Sequence, residues 1–257
     1  MAYTYLQSIE KSYFHIFMKK IILPLIVFVI IIRSVTAQST RYGLKLGPTA
    51  ATQRWNYWNN GPLYKLHGDL WMESYSDEDP YSIFAQLGYH NRGSATRYRT
   101  PIVFQSKTYT VPADEFIFRN LSAVVGFKKK FIKQKMSSYY SIGLRGEYTM
   151  STNLGVYTQL NEIVGPVYPF KEGVKKAVMG VTFGAGLDFP FSEYIGGILE
   201  LNIAPDITKQ YFQPAIPNVI NFYQPGQTTT IEQKSIKNFS LELSFGIHFL
   251  KKVVYVD

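Results

Sequence analysis

The sequence predicts an all-β fold: an eight-stranded antiparallel up-and-down transmembrane β-barrel with long extracellular loops. Three observations carry that prediction. Two segments alternate apolar and polar residues with period two, the pattern recurs to give eight segments, and the connections between them alternate short and long.

The composition narrows the alternatives first. Of 257 residues 46% are hydrophobic and only 18% charged, which argues against disorder. With no cysteine there is no disulfide scaffold, no thiolate zinc site, no Cys nucleophile and no lipidated N-terminal Cys. Aromatics reach 16%, with 20 Tyr and 18 Phe, a content that suits a surface half wet and half apolar.

The N-terminus sets the compartment. Lys19 and Lys20 precede twelve uncharged, mostly apolar residues, 21–32, a length too short to span a bilayer but suited to a signal-peptide core. Val35 and Ala37 stand three and one residues before a cleavage point at Gln38, and Met18 is a natural start. Residues 1–37 therefore read as a signal peptide and 38–257 as one barrel domain in the bacterial outer membrane. Four basic residues and one acid leave with the peptide, so the net charge falls from +9 to +6, a balance that needs no nucleic acid to explain it.

Along the mature chain each segment earns its place by parity. The two cleanest are 177–189, with Ala177, Met179, Val181, Phe183, Ala185, Leu187 and Phe189 on one face, and 239–249, with Phe239, Leu241, Leu243, Phe245, Ile247 and Phe249. Weaker versions cover 42–48, 66–75, 81–93, 119–127, 139–148 and 197–204. The connections 76–80, 129–138 and 190–196 are short, whereas 48–65, 94–118, 149–176 and 205–237 are long and, leaving aside Pro48 at the end of the first strand, hold nine of the 13 prolines, where no ladder hydrogen bond is lost. Every long connection falls on the same end of an up-and-down order, the asymmetry of outer-membrane barrels. An exported soluble barrel or sandwich is the alternative; the polar face, with Lys45, Asp69, Glu73, His90, Arg92, Arg145, Glu147, Glu200 and Glu242, suits a lumen better than a soluble shell. The register puts Val181 and Leu243 against lipid, so Arg there is expected to hinder insertion more than Arg at Thr182 or Ser244.

Several stretches carry a resemblance. Leu87-Gly88-Tyr89-His90-Asn91-Arg92-Gly93, the opening Tyr42-Gly43-Leu44-Lys45-Leu46-Gly47, the Gly-rich 180–189 and the ending Leu243-Ser244-Phe245-Gly246-Ile247-His248-Phe249 resemble the PorT-like outer-membrane β-barrel family of Bacteroidetes across essentially the whole mature chain. The resemblance implies a small outer-membrane barrel and, from the founding member, a role in type IX secretion. Phe249 resembles the terminal aromatic of the assembly signal, yet residues 250–257 follow it, leaving open whether they extend the last strand.

Catalytic motifs such as G-x-S-x-G, a Walker loop or H-E-x-x-H are absent from the sequence. His67, His90 and His248 point inward by parity, and His248 with Ser244 or Ser240 and Glu242 could form a hydrolase triad on one strand face; a satisfied interior histidine is the simpler reading. No metal site or cofactor is expected. An eight-stranded barrel is only wide enough for its side chains to fill, so Lys45, Asp69, Arg92, Arg145, Glu147, Glu200 and Glu242 are expected to pair into a salt-bridged plug, with Arg145 finding an acid among Glu147, Glu200, Glu242 or their neighbours. Trp55, Tyr57, Trp58, Tyr211 and Phe212 in the long connections suggest a binding surface, or equally an aromatic girdle. The functional expectation is a non-enzymatic scaffold, surface-interaction or secretion-associated barrel, in contact with outer-membrane lipid and with outer-membrane or periplasmic proteins. A narrow transport or small-ligand barrel is the alternative, and a lipid-modifying enzyme a more distant one.

Overall fold

A computed structural model describes residues 39–55, 60–76, 79–96, 102–104, 107–109, 115–131, 136–164, 168–221, 224 and 226–252. Residues 1–37, expected from the sequence to be a signal peptide, and the loop residues Tyr57 and Trp58 lie outside them. Eight long strands form the wall: β1 (Ser39–Gln53), β2 (Leu63–Tyr75), β3 (Tyr81–Thr96), β4 (Glu115–Phe131), β5 (Ser137–Thr152), β6 (Ala177–Pro190), β7 (Ile195–Pro205) and β8 (Asn238–Lys251). Each is hydrogen-bonded to the next. β8 returns to β1 in antiparallel register, from Thr40↔Lys251 to Gln53↔Asn238, which closes the sheet and leaves no edge.

Each strand is longer than its alternating stretch in the sequence, and the difference has a physical cause. The alternation is sharp only where one face meets hydrocarbon and the other a polar interior. β4 begins at Glu115 and β1 runs on to Gln53, because beyond the apolar belt the outward face meets water while Phe116 and Phe118 still point inward. The long connections shorten accordingly. The tail question is answered in part: Leu250 and Lys251 belong to β8, and 253–257 lie outside the described residues.

The polarity of the wall is inverted relative to a soluble protein. Leu66, Leu144 and Phe127 are exposed to 70%, 66% and 66% on the outside, whereas Arg92, Glu242 and Lys45 are buried inside. An aromatic ring of Tyr42, Tyr81, Phe131, Tyr140, Tyr194 and Phe249 encircles the short-turn end, and Tyr64, Tyr89, Tyr148 and Phe239 mark the loop end. A closed wall whose strands pair with their neighbours all round, greasy outside and charged inside, is stable in a bilayer and not in water; barrels of this construction are those of the bacterial outer membrane. No helix among the described residues is long and apolar enough to cross a membrane.

Glycine makes room for the large interior groups. A Cβ on Gly180 would stand 2.5 Å from Arg145 Nη2, and one on Gly186 would stand 2.5 Å from the Tyr139 ring. These are the polar-parity glycines of β6; each lets a large side chain of β5 lie flat across it.

Candidate functional site

The inward positions of the eight strands stack into layers. Nearest the short turns, Glu73 of β2 accepts from Lys128 Nζ and Lys130 Nζ of β4, both at 2.6 Å, and Arg41 of β1 reaches Asp188 of β6 at 2.5 Å. His248 Nε2 lies 3.0 Å from the same Asp188. One layer further in, Lys45 Nζ donates to Glu200 at 2.6 Å and to Gln86 at 2.8 Å, and Tyr139 donates to the other Glu200 oxygen at 2.7 Å. Lys128 also sits 4.8 Å from the Trp71 ring centroid and 4.3 Å from that of Tyr139, so aromatic faces share its charge.

The loop half of the lumen is organised by two arginines. Arg92 of β3 gives two hydrogen bonds to Glu147 Oε1 of β5, at 3.0 and 2.7 Å, and its Nη1 bonds Glu242 and Ser240 of β8. Arg145 Nη2 bonds Asp206 Oδ1 at 2.6 Å, while its Nε stands 3.1 Å from Glu147 Oε1. Asn120 completes Glu147 at 2.6 Å, and Asn238 completes Asp206 with its backbone N–H at 3.0 Å and its side chain at 2.6 Å. His90 lies between two carboxylates, 2.9 Å from Asp69 and 3.1 Å from Glu242, and stacks on His67 at 5.2 Å.

Charge is distributed unevenly along the axis. Four cations (Arg41, Lys45, Lys128, Lys130) meet three carboxylates (Glu73, Asp188, Glu200) in the turn half, whereas in the loop half two arginines meet Glu147, Asp206 and Glu242, and a fourth carboxylate, Asp69, is met by His90. All seven residues expected as lumen ion-pair partners are thus buried and bonded inside. Asp206 was not among them: it lies just past β7, but it continues the inward parity of Glu200 and Asn202, and that is the signal that could have found it. Glu73, expected on the polar face but not as a pairing partner, joins the pairs, and Arg41, Lys128 and Lys130 lie at strand ends, where parity gives no clear signal.

The residues of the conceivable triad are scattered. His248 bonds Asp188, Ser244 Oγ lies 2.8 Å from His67 Nε2, and Ser240 and Glu242 serve Arg92. The Nδ1 of His67 faces Thr49 Oγ1 at 2.8 Å, so no carboxylate orients that ring from behind.

Above the charged layers lies a sheet of amides and hydroxyls, in which Gln210 Nε2 donates to Thr149 at 2.9 Å and Gln53 Nε2 to Asn238 at 2.5 Å. It is covered by an apolar cap of Trp55, Phe116, Phe118, Leu154, Tyr157, Tyr168, Tyr211 and Ile236. Trp55 packs on Phe116 and Tyr211 with centroids 5.1 and 5.0 Å apart, and Tyr157 stacks on Tyr168 at 5.0 Å. The short helix α1 (Thr158–Val164) and the strand pair Tyr211–Gln213 with Lys234–Ile236 hold these rings in place. Burial pushes the Tyr211 hydroxyl up to about 12; it donates to Gln213 at 2.7 Å and accepts from the Phe170 N–H at 3.0 Å.

The cap corrects the expectation of an aromatic binding surface. Trp55 and Tyr211 are buried at 4% and 0% exposure, because loop aromatics beside a closed lumen gain more from packing over it than from facing water. Phe212 alone of the described candidates reaches the surface, half-buried between Lys175 and Lys209. A freely exposed loop element among the described residues is instead the hairpin Ile216–Ile220 with Thr228–Ile231, in a stretch, 210–231, without a single charge.

No protein-family model matches the chain, and no curated protein matches it. Solved structures do. Neisserial surface protein A is 10% identical at a TM-score of 0.45, covering 82% of this chain and 96% of its own. The attachment invasion locus protein Ail of Yersinia pestis, in complex with the heparin analogue sucrose octasulfate, is 11% identical at a TM-score of 0.37, covering 82% and 99%. The outer membrane protease OmpT of Escherichia coli is 7% identical at a TM-score of 0.38, covering 84% and 98%. With TM-scores below 0.5 these likenesses carry no argument about activity, and the fold and its membrane setting rest on the closed, inside-out wall itself.

Proposed function

We propose that this outer-membrane barrel works without catalysis, as a scaffold or surface-interaction protein that engages another protein through its loop end. The observation that supports the reading most is the division of labour between lumen and loops. Ion pairs cross the lumen in successive layers and an aromatic cap covers them, while the uncharged hairpin Ile216–Ile220 with Thr228–Ile231 stands exposed beyond the cap. A rigid wall that carries such a loop is suited to recognition. In its narrower form, drawn from the PorT-like resemblance, the partner belongs to type IX secretion machinery.

A photo-crosslinking residue at Val219 or Thr229, irradiated in intact cells, tests this. One protein adduct of fixed mass is expected from the hairpin positions and none from a lipid-facing position such as Leu144. Absence of any adduct, together with steady conductance of the purified barrel in planar bilayers, would replace the reading with transport.

A further inference from the structure

We propose that the rim above β6 to β8 is a binding site for the phosphates of the anionic glycolipid in the outer leaflet, held by Lys175, Lys176, Lys209 and Lys237.

The chain brings these four residues together at one sector of the wall. Lys175 and Lys176 immediately precede β6, Lys209 follows β7, and Lys237 immediately precedes β8. Backbone bonds lock the segments side by side: Lys175 N donates to Gln210 O at 2.9 Å, Gln210 N to Ile236 O at 2.8 Å, and Thr149 N to Lys176 O at 2.7 Å. All four side chains are exposed. Lys175 and Lys209 share the Phe212 ring, their ammonium nitrogens 5.8 and 4.8 Å from its centroid, so the aromatic holds both charges over one spot.

The patch keeps its positive charge. Of the acids in the same segments, Asp206 is turned inward to Arg145 and Asn238. Glu172 and Glu232 are exposed, and neither makes an ion pair with any of the four. Two acids against four lysines still leave a positive surplus.

Position then identifies the partner. Met179, Ile207 and Phe239 are exposed apolar residues of the outer wall, and each lies two to three residues from one of the lysines. Two residues of strand span roughly 7 Å. What surrounds those apolar groups is hydrocarbon, and what comes next beyond hydrocarbon is headgroup. Long connections mark this end as the cell surface, so the headgroup is that of the outer leaflet. Lysine suits it: a compact charge on a flexible stem meets phosphate without needing a fixed geometry, and clustered basic residues beside a bilayer recognise anionic headgroups.

The test uses the whole folded barrel in detergent and native mass spectrometry with bisphosphorylated lipid A, the same lipid stripped of phosphate, and inorganic phosphate as competitor. Retention of the bisphosphorylated lipid is expected, with roughly 10- to 30-fold weaker retention for the double variant Lys175→Ala/Lys209→Ala. The charge-preserving Lys175→Arg/Lys209→Arg should restore it. Lys251→Ala, at the opposite end of the wall, should leave it unchanged, and heat-modifiability on gels confirms that every variant is folded. Equal retention of the dephosphorylated lipid, or no loss in the double Ala variant, overturns the proposal. So does full displacement by inorganic phosphate, which would make the patch a free-anion site.

Discussion

Arg145 of β5 donates through Nη2 to Asp206 Oδ1 at 2.6 Å, and this bond ties the middle of the wall to the residue at which the last long loop departs. Both groups are buried, so removing Arg145 leaves Asp206 with no cation, and removing the Asp206 carboxylate leaves Arg145 with Glu147 alone. Arg145→Ala and Asp206→Asn should each lower the temperature at which the folded band converts on heat-modifiability gels. The double variant should lose less than the two singles combined, by about 1–3 kcal/mol of coupling. Arg145→Lys should fall between, lacking the planar fork. Strictly additive losses in the cycle would dismiss the pairing.

Arg92 should matter more than Arg145. Its guanidinium serves both Glu147 and Glu242, so Arg92→Ala takes an arginine from two buried carboxylates at once, leaving Glu147 to Arg145 and Glu242 to His90. A loss of about 3–5 kcal/mol is expected, against a smaller one for Arg145→Ala. Urea titration of the refolded barrel in vesicles measures both, and a loss for Arg92→Ala no larger than for Arg145→Ala would refute the ranking.

How much of this was legible follows from where each residue sits along the axis. Glu200, Glu242 and Arg145 lie mid-strand, where one face meets lipid and the other the lumen, and parity alone turns them inward. Asp206, Arg41 and Lys130 lie at strand ends, where alternation fades because the outward face meets interface or water, and they were overlooked. The cap was illegible for a further reason. Trp55, Phe116, Tyr157, Tyr168 and Tyr211 come from four separate stretches, and only closure of the barrel brings their rings together. Pairing partners were equally hidden, since Arg92 and Glu242 are 150 residues apart.

Lipid-facing positions separate from lumen positions by mechanism. Leu144→Arg and Leu243→Arg place a charge in hydrocarbon and should cost about 2–4 kcal/mol near the midplane, scored as loss of membrane insertion. The sequence expectation that Arg at Ser244 would be milder is revised: Ser244 is fully buried with His67 Nε2 at 2.8 Å, and Arg has no room there. Ser244→Ala is the proper contrast, expected to lose about 1 kcal/mol for one hydrogen bond and still insert. Failure of Ser244→Ala to insert, beside normal insertion of Leu144→Arg, would invert the wall.

Protease on intact cells reads the orientation. Cutting is expected within the exposed hairpin Ile216–Ile220 with Thr228–Ile231, and the segment 191–194 between β6 and β7 should stay intact. Cleavage confined to 191–194 would turn the barrel over.

The cap provides the last test, because it separates stability from closure. Trp55 contacts Phe116 and Tyr211, and its Nε1 donates to Gln53 at 2.9 Å, so it is both the centre of the aromatic cluster and its tie to the amide layer below. Trp55→Ala removes a buried indole, worth about 3–5 kcal/mol in a well-packed core. Tyr211→Phe keeps the ring and deletes only the hydroxyl, leaving the Phe170 N–H without its acceptor and Gln213 Oε1 without its donor, for roughly 1–3 kcal/mol. Beneath the cap the charged layers are held by the wall strands rather than by the loops, so neither change should open a path through the lumen. Thermal conversion on gels should therefore rank Trp55→Ala below Tyr211→Phe and both below the parent, while planar-bilayer recordings of all three stay without steady conductance. If Trp55→Ala conducts and the parent does not, the cap and not the ion-pair layers is the seal, and the loops act as a gate.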